Sequence, residues 1–421
     1  MHLSRLALTD FRSYPAADVE LAPGVTVLLG RNGQGKTNLV EAAGYVATLA
    51  SHRVAQDAPL VRAGAQSAVV RATVVREGRE SLVELEVVPG RANKARLNRS
   101  PVARQRDVLG TLRTVLFAPE DLALVKGDPA ERRRMLDDLL VARQPRWAGV
   151  RSDYDRALRQ RNALLRSGAS LWREPGRGRR GGGPRLAPGE DLEQARASAL
   201  ATLTVFDTHL AQIGGALIYA RLRLLRDLRP YLAQSYRTIS DSQTAADAAY
   251  RSSLAAGTRA AERIEAGEVP EQEEVVQAVL DTIEQVRSQE QERGVSLVGP
   301  HRDEVVLTLG DLPAKGYASH GESWSLALSL RLAGFSLLRH DLGTDPVLVL
   351  DDVFAELDVG RRERLVDLVA DCEQVLVTAA VADDVPDRLL DGPGGGPRGR
   401  VLDVVLGAVT PRAASDDGTE P

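Results

Sequence analysis

Cysteine is almost absent from this 421-residue chain. The single Cys372 excludes an internal disulfide and fits a reducing compartment. Lysine is nearly as scarce: of 54 basic residues four are lysine (Lys36, Lys94, Lys126, Lys315) and the remaining fifty are arginine. No run approaches the ~20 apolar residues that a membrane-spanning helix needs. The opening Met1-His2-Leu3-Ser4-Arg5 carries no apolar signal-peptide core. Together these absences lead to the expectation of a cytoplasmic protein. A net charge of −4 disfavours a simple electrostatic nucleic-acid binder, whose domain is usually basic. The arginine bias has two readings. One is phosphate recognition by the guanidinium fork; the other is a GC-rich genome that writes arginine wherever lysine would serve.

What is present is the balance of a folded chain, 43% apolar and 27% charged, long enough for two or three domains. Leu3, Leu6, Leu8, Val19 and Leu21 mark short apolar segments, and the continuous run at 25–29 predicts a strand buried on both faces. A helix is expected from Thr37 to about Leu49. Residues 69–76 and 81–88 alternate around Glu77-Gly78-Arg79-Glu80 and predict an antiparallel hairpin. From Asp128 the period turns helical, with helices expected near 131–143, 151–166, 191–236 and 271–293. A Gly/Arg/Pro-rich stretch at 175–189 is too poor in apolar residues to pack, and the polar, Ala-rich 240–257 reads as a loop. No long heptad array is visible, so a short helical arm is expected. The last third returns to α/β, with a helix at 322–339 and buried strands at 347–350 and 375–377. Residues 392–399 and the tail from 413 are expected to be disordered.

Gly30-Arg31-Asn32-Gly33-Gln34-Gly35-Lys36-Thr37 fits the phosphate loop G-x-x-x-x-G-K-[ST] in full, between a predicted strand and a predicted helix. Its glycines let successive N–H groups point at phosphate oxygens, Lys36 reaches the β/γ-phosphates, and the Thr37 hydroxyl ligates Mg²⁺. Asp351-Asp352 directly follows the 347–350 strand, where a Walker B metal ligand belongs. Asp351 is assigned as the Mg²⁺ ligand and Asp352 as the carboxylate that orients or deprotonates water. Ser319-His320-Gly321-Glu322 precedes the 322–339 helix; by itself it is equally an ordinary helix cap. Lys36 and Asp351 stand 315 residues apart, so a whole domain interrupts one site. That spacing disfavours a compact P-loop kinase and a transporter ATPase.

With Walker B, these features resemble the ABC ATPases, in which Ser319-His320-Gly321-Glu322 would be the signature loop acting in trans and Ala355-Glu356-Leu357-Asp358 the D-loop. Further segments are similar to the RecF-type branch of the SMC-like ABC ATPase family: Asp10-Phe11-Arg12-Ser13-Tyr14, Ser51-His52-Arg53, Leu116-Phe117-Ala118-Pro119-Glu120-Asp121-Leu122, Val125-Lys126-Gly127-Asp128-Pro129, Arg132-Arg133-Arg134-Met135-Leu136-Asp137, Gly299-Pro300-His301-Arg302-Asp303 and the run from Leu350 to Asp358. Met135 departs from the pattern, which has an aromatic there. The resemblance implies an α/β ABC-type head, a mixed sheet with an antiparallel β layer, at 1–127 and 294–412. A helical arm at 128–293 would interrupt it, with a flexible loop at 172–190 and a disordered tail at 413–421. It implies Arg12 and Asn38 near ATP beside the phosphate-loop residues, Lys36 and Asp352 in catalysis, and an ATP-dependent homodimer. It also implies slow, DNA-dependent ATP hydrolysis, action on double-stranded and gapped DNA, and partnership with RecR, RecO and RecA near the nucleoid. Arg132-Arg133-Arg134 could meet a DNA backbone or internal carboxylates, and His301 and Arg302 could serve a site or a strand entry. DNA-contacting residues are left unassigned. The rival readings are an SMC-like structural DNA clamp, which would need long heptad arms, and a metabolic P-loop kinase active as a monomer.

Overall fold

The computed structural model describes residues 1–172, 191–391 and 398–412. Of the loop expected at 172–190 only Trp172 is described; most of the 392–399 segment and the tail from 413 lie outside the described residues. In chain order the first third holds β1 (His2–Phe11), β2 (Tyr14–Glu20), β3 (Gly24–Leu29), α1 (Lys36–Thr48), β4 (Ala68–Arg76), β5 (Arg79–Val87), β6 (Lys94–Leu97), β7 (Ser100–Pro101) and β8 (Thr114–Phe117). Next come α2 (Leu122–Lys126), α3 (Pro129–Arg143), α4 (Trp147–Ser167), α5 (Ala169–Trp172), α6 (Leu192–Ser240), β9 (Ala246–Arg251), α7 (Arg259–Glu265) and α8 (Gln272–Arg293). The remainder is β10 (Glu304–Leu309), β11 (Leu312–Pro313), α9 (Ala314–Tyr317), α10 (His320–Leu342), β12 (Val347–Asp351), α11 (Val359–Val369), β13 (Gln374–Ala379), α12 (Asp387–Leu390), β14 (Arg400–Val405) and β15 (Ala408–Pro411).

Two six-stranded sheets build the head. One is antiparallel in the order β2-β1-β4-β5-β6-β7; the other runs β15-β14-β3-β13-β12-β8 and is parallel from β14 to β8. Alternation along β3 explains the layering. Val25, Val27 and Leu29 join one core with Phe117, Leu350 and the helix α10, while Leu28 joins a second core with α1 and the antiparallel sheet. A parallel sheet covered on both faces needs strands apolar on both faces, and every residue of β12 and β13 is buried. The β4–β5 hairpin closes through Glu77 and Gly78, both at positive φ, as a two-residue turn with the right twist requires.

The helix α6 has 49 residues, ~74 Å at 1.5 Å per residue, and packs on α4 and α8 as well as on α10 and α11 of the head. It carries Pro230 in its interior and continues through it; packing on several neighbours outweighs the local cost of a missing N–H. One sequence expectation is corrected here. The 240–257 segment is not all loop, because Ala246–Arg251 forms β9 and pairs antiparallel with β10. Ala246, Ala248 and Tyr250 point inward, and the small alanines give little strand propensity of their own, so pairing with β10 makes the strand.

Candidate functional site

The loop at 30–35 leaves the C-terminal end of β3 and enters α1, whose first turn has no acidic residue to oppose an anion at the helix N-terminus. A Cβ at Gly30 would sit 2.3 Å from the Val404 carbonyl oxygen, and one at Gly35, with φ of 107°, would sit 2.8 Å from the Tyr14 hydroxyl. The loop is thus wedged between β14 and the β1–β2 turn, and only glycine permits it. Lys36 is buried, and its ammonium donates to the Gly30 carbonyl at 2.7 Å, with the Arg31 carbonyl and Asn32 Oδ1 each at 3.4 Å. The cation is therefore held over the loop's own concavity, inside the turn where phosphate oxygens would enter. Gln34 fixes the far side by accepting from the Leu406 N–H at 2.7 Å.

The register of the parallel sheet brings the second half of the site alongside. Asp351 ends β12 beside Thr378 of β13. Its Oδ1 accepts from Thr37 at 3.2 Å and from Thr378 at 2.6 Å. Thr37 and Asp351, 314 residues apart in sequence, are in direct contact. Burial pushes the Asp351 carboxyl up to about 6, aided by the charge of Asp352 and opposed by the two threonine hydroxyls. Asp352 has φ of 50°, and its N–H donates to Thr378 at 2.9 Å. A non-glycine residue held left-handed costs of order 1–3 kcal/mol, and such strain clusters at functional sites. Among the described residues no group of three or more His, Cys, Asp or Glu side chains could hold a metal by itself.

Arg12 forms a two-pronged pair with Glu41 of α1, Nε to Oε2 at 2.8 Å and Nη2 to Oε1 at 2.6 Å. Ser51 donates to the same carboxylate at 2.5 Å and Arg53 lies 3.5 Å from it. Burial alone would raise the Glu41 carboxyl; the hydrogen bonds from Arg12 and Ser51 and the charges of Arg12 and Arg53 outweigh it, and the carboxyl stays below its ordinary value. Asn38 donates to Ser13 at 2.9 Å and accepts from Arg53 at 3.1 Å. Arg12, Asn38 and Ser51-His52-Arg53 therefore form one girdle around the first turns of α1.

The remaining site segments lie elsewhere. Ser319 caps α10, accepting from the Glu322 N–H at 3.2 Å, while Glu322 accepts from the Ser319 N–H at 2.9 Å. His320 accepts from Trp324 at 3.1 Å and stands 3.5 Å from Lys126. Asp358 caps α11 and pairs with Arg361, whose guanidinium lies against Gly321. The partners of Ser319, His320, Glu322 and Asp358 thus lie in α2, α10 and α11, not in the phosphate loop. The arginine triplet turns inward: Arg132 pairs with Glu304 at 2.9 Å, Arg133 donates to the Asp303 carbonyl at 2.7 Å and Arg134 to the Ser51 carbonyl at 2.6 Å. All three therefore have internal partners, a carboxylate for Arg132 and backbone carbonyls for Arg133 and Arg134. His301 takes the structural role too: its Nδ1 is 2.6 Å from the Tyr154 hydroxyl and burial lowers its pKa to about 4. Sequence reasoning missed Thr378 and Glu41. A threonine ending the strand next to Walker B was the available signal for the first; nothing local marked the second.

The profile described as RecF/RecN/SMC N terminal domain matches residues 2–386. The "DNA replication and repair protein RecF" of Kineococcus radiotolerans is 58% identical over 393 residues, covering 92% of this chain and 95% of that protein. The protein of the same description from Frankia alni is 58% identical over 389 residues, covering 92% and 96%. Among solved structures, that of the recombination mediator protein RecF with ATPrS in the RecFOR pathway superposes with a TM-score of 0.79 at 25% identity, covering 98% of both chains. An SMC head domain from Pyrococcus yayanosii shares the fold, with a TM-score of 0.52 at 14% identity. The head has the fold of the RecF and SMC-head ABC ATPases, and the chain belongs to the RecF/RecN/SMC family, within its RecF branch.

Proposed function

We propose that this protein is an ATP-driven DNA-binding switch of recombinational repair. In this reading ATP closes a homodimer that grips duplex DNA at single-strand gaps and, with RecR and RecO, promotes RecA loading near the nucleoid. Slow hydrolysis, stimulated by DNA, resets it. The head is assigned to 1–127 and 294–412 and the arm to 128–293. The observation that carries the switch is a site in two separated halves. The phosphate loop and Asp351-Asp352 are joined through Thr37 and Thr378. Ser319, His320 and Asp358 stand exposed elsewhere with no partner in that loop. Exposed apolar side chains flank both halves: Tyr317 and Val359 beside the second, Leu406 beside the first.

Each residue then has a chemical task. The N–H groups of the loop from Gly30 to Lys36, the N-terminus of α1 and the Lys36 ammonium hold the β- and γ-phosphates, with Arg31, Asn32, Gly33, Gln34, Gly35 and Asn38 shaping the cradle and Arg12 close by. Thr37 and Asp351 hold Mg²⁺, which neutralises phosphate charge when bound. Asp352, strained and aimed by Thr378, orients the attacking water and accepts its proton. Ser319 and the N-terminus of α10 of a second copy, with His320, Gly321 and Glu322, complete the γ-phosphate contacts, and Asp358 lines the seam. Because those contacts exist only while the γ-phosphate is present, ATP has differential affinity for the closed dimer and hydrolysis removes it.

Mixing two inactive variants tests the composite site. Lys36→Ala removes one half and Ser319→Arg the other, and each alone is expected to lose ATP-dependent dimerisation and hydrolysis. Mixed one to one, they form heterodimers with one intact site, and activity returns to a fraction of wild type. No recovery, together with concentration-independent turnover by the wild type, would favour a monomeric kinase-like enzyme. The alternative of an SMC-like structural clamp shares this site and differs in task; the absence of a long heptad array in the 128–293 sequence argues against it.

A further inference from the structure

Residues 88–106 carry six basic side chains (Arg91, Lys94, Arg96, Arg99, Arg104, Arg106) and no acidic one, in a chain whose net charge is −4. They occupy the β6–β7 hairpin and its flanks, at the free end of the six-stranded antiparallel sheet. Alternation along β6 buries Ala95 and turns Lys94 and Arg96 outward together, while Arg91, Arg99 and Arg104 are exposed around them. Lys94 pairs with Glu86 at 3.2 Å; Arg91, Arg96, Arg99 and Arg104 have no carboxylate partner among the described residues. On the same sheet Arg71 is paired with Glu84 and Arg5 with Asp18, while Arg79 at the β4–β5 turn has no ion pair among the described residues.

A second observation concerns the hairpin tip. Asn98 and Arg99 have φ of 50° and 69°, the left-handed pair of a two-residue turn. Such turns favour asparagine followed by glycine. Asn98 serves the turn: its Oδ1 accepts from the Leu82 N–H at 2.9 Å and its own N–H donates to the Leu82 carbonyl at 2.8 Å. Arg99 stands where glycine would be free of strain, and among the described residues its guanidinium has no hydrogen-bond or ion-pair partner that offsets the cost. Stability is given up to hold a cation at the tip.

We propose that the β6–β7 hairpin, with Arg91, Lys94, Arg96, Arg99 and Arg104, is a contact surface for the phosphate backbone of duplex DNA. The inference rests on the DNA-binding reading above and gives it residues. Unpaired arginines on a rigid edge suit a regular polyanion, since the fork accepts phosphate oxygens in pairs. Lys94 and Arg96, two residues apart on one strand face, are spaced ~6.7 Å, close to twice the ~3.4 Å axial rise between charges on one DNA strand. The contact reads no sequence, because the partners are phosphates. Basic side chains outnumber their acidic neighbours, Glu86 beside Lys94 and Glu84 across from Arg96, and this excess disfavours a basic protein surface as the occupant.

The test uses the full-length protein with ATP-Mg²⁺ and a fluorescent 40-base-pair duplex at several salt concentrations. The triple variant Arg96→Gln/Arg99→Gln/Arg104→Gln is expected to bind more weakly by at least tenfold at low salt. The slope of log K against log salt should fall by ~2 to 3, since each phosphate contact contributes ~0.9. ATP-dependent dimerisation should be unchanged. Arg99→Gly alone should raise the melting temperature while weakening DNA binding, a pair of changes that a purely structural arginine would not give. Wild-type slope and affinity in the triple variant would overturn the inference while leaving the functional reading intact. Failure of the wild type itself to bind duplex under any nucleotide would instead sink the reading on which it rests.

Discussion

At the residue scale, chemistry is concentrated in side chains that burial has forced into contact. Lys36 is held over the loop carbonyls, and Lys36→Ala is expected to abolish nucleotide binding, measured by titration with a fluorescent ATP analogue. Asp352→Asn keeps the strained turn but removes the proton acceptor, so this variant should bind ATP, accumulate as dimer and lose at least ~100-fold in turnover. Asp352→Gly separates strain from chemistry: it should be more stable than wild type and equally inactive. His301 gives a pH dependence whose sign is fixed. Its folded pKa is lowered from an ordinary 6.5 to about 4, so the unfolded chain takes up the proton first as pH falls. Its contribution is intact above pH 6.5 and is lost between about 6.5 and 4, on the order of 3 kcal/mol at ~1.4 kcal/mol per unit. Urea titrations of His301→Gln, in which this acid-side loss should shrink, check it.

At the element scale, what was legible in the sequence was what is local. The strand, loop and helix around residues 24–48 need only the apolar run, the glycines and the helix start, all contiguous. The Ser319 cap and the β4–β5 turn are local in the same sense. Features made by pairing across the sheet were not legible. Thr378 acts only because β13 lies in register beside β12, and β9 exists only because β10 pairs with its alanine-rich edge. Glu41 looks like an ordinary helical residue until Arg12 and the Ser51–Arg53 segment converge on it from two separate parts of the chain. The base of the arm follows the same rule. Arg161 of α4 is fully buried between Asp207 of α6 at 2.7 Å and Glu290 of α8 at 2.6 Å. Breaking such a group strands its carboxylates in the interior, so Arg161→Ala should destabilise by about 3–5 kcal/mol, read from the urea midpoint. Arg287, 3.1 Å from Asp207, takes up part of the loss.

At the scale of the whole molecule, α6 packs both on the helices α4 and α8 and on α10 and α11. On the head side α6 lies on α10, whose N-terminus carries Ser319, and on α11, capped by Asp358. A segment resembling the RecF branch fastens α6 to the head, since Arg221 binds the Pro300 carbonyl at 2.6 Å as well as Asp137 at 2.8 Å, while within the head Arg331 of α10 binds Asp121 at 3.1 Å through Nε. The central claim is that ATP, by closing a dimer seam at Ser319, creates the DNA-gripping form. It is tested most directly by binding to gapped duplex DNA at fixed salt with ATP-Mg²⁺, with ADP-Mg²⁺ and without nucleotide. The account predicts much tighter binding with ATP alone, steepening with protein concentration as a dimer requires. Equal binding in all three conditions, or none, would contradict it.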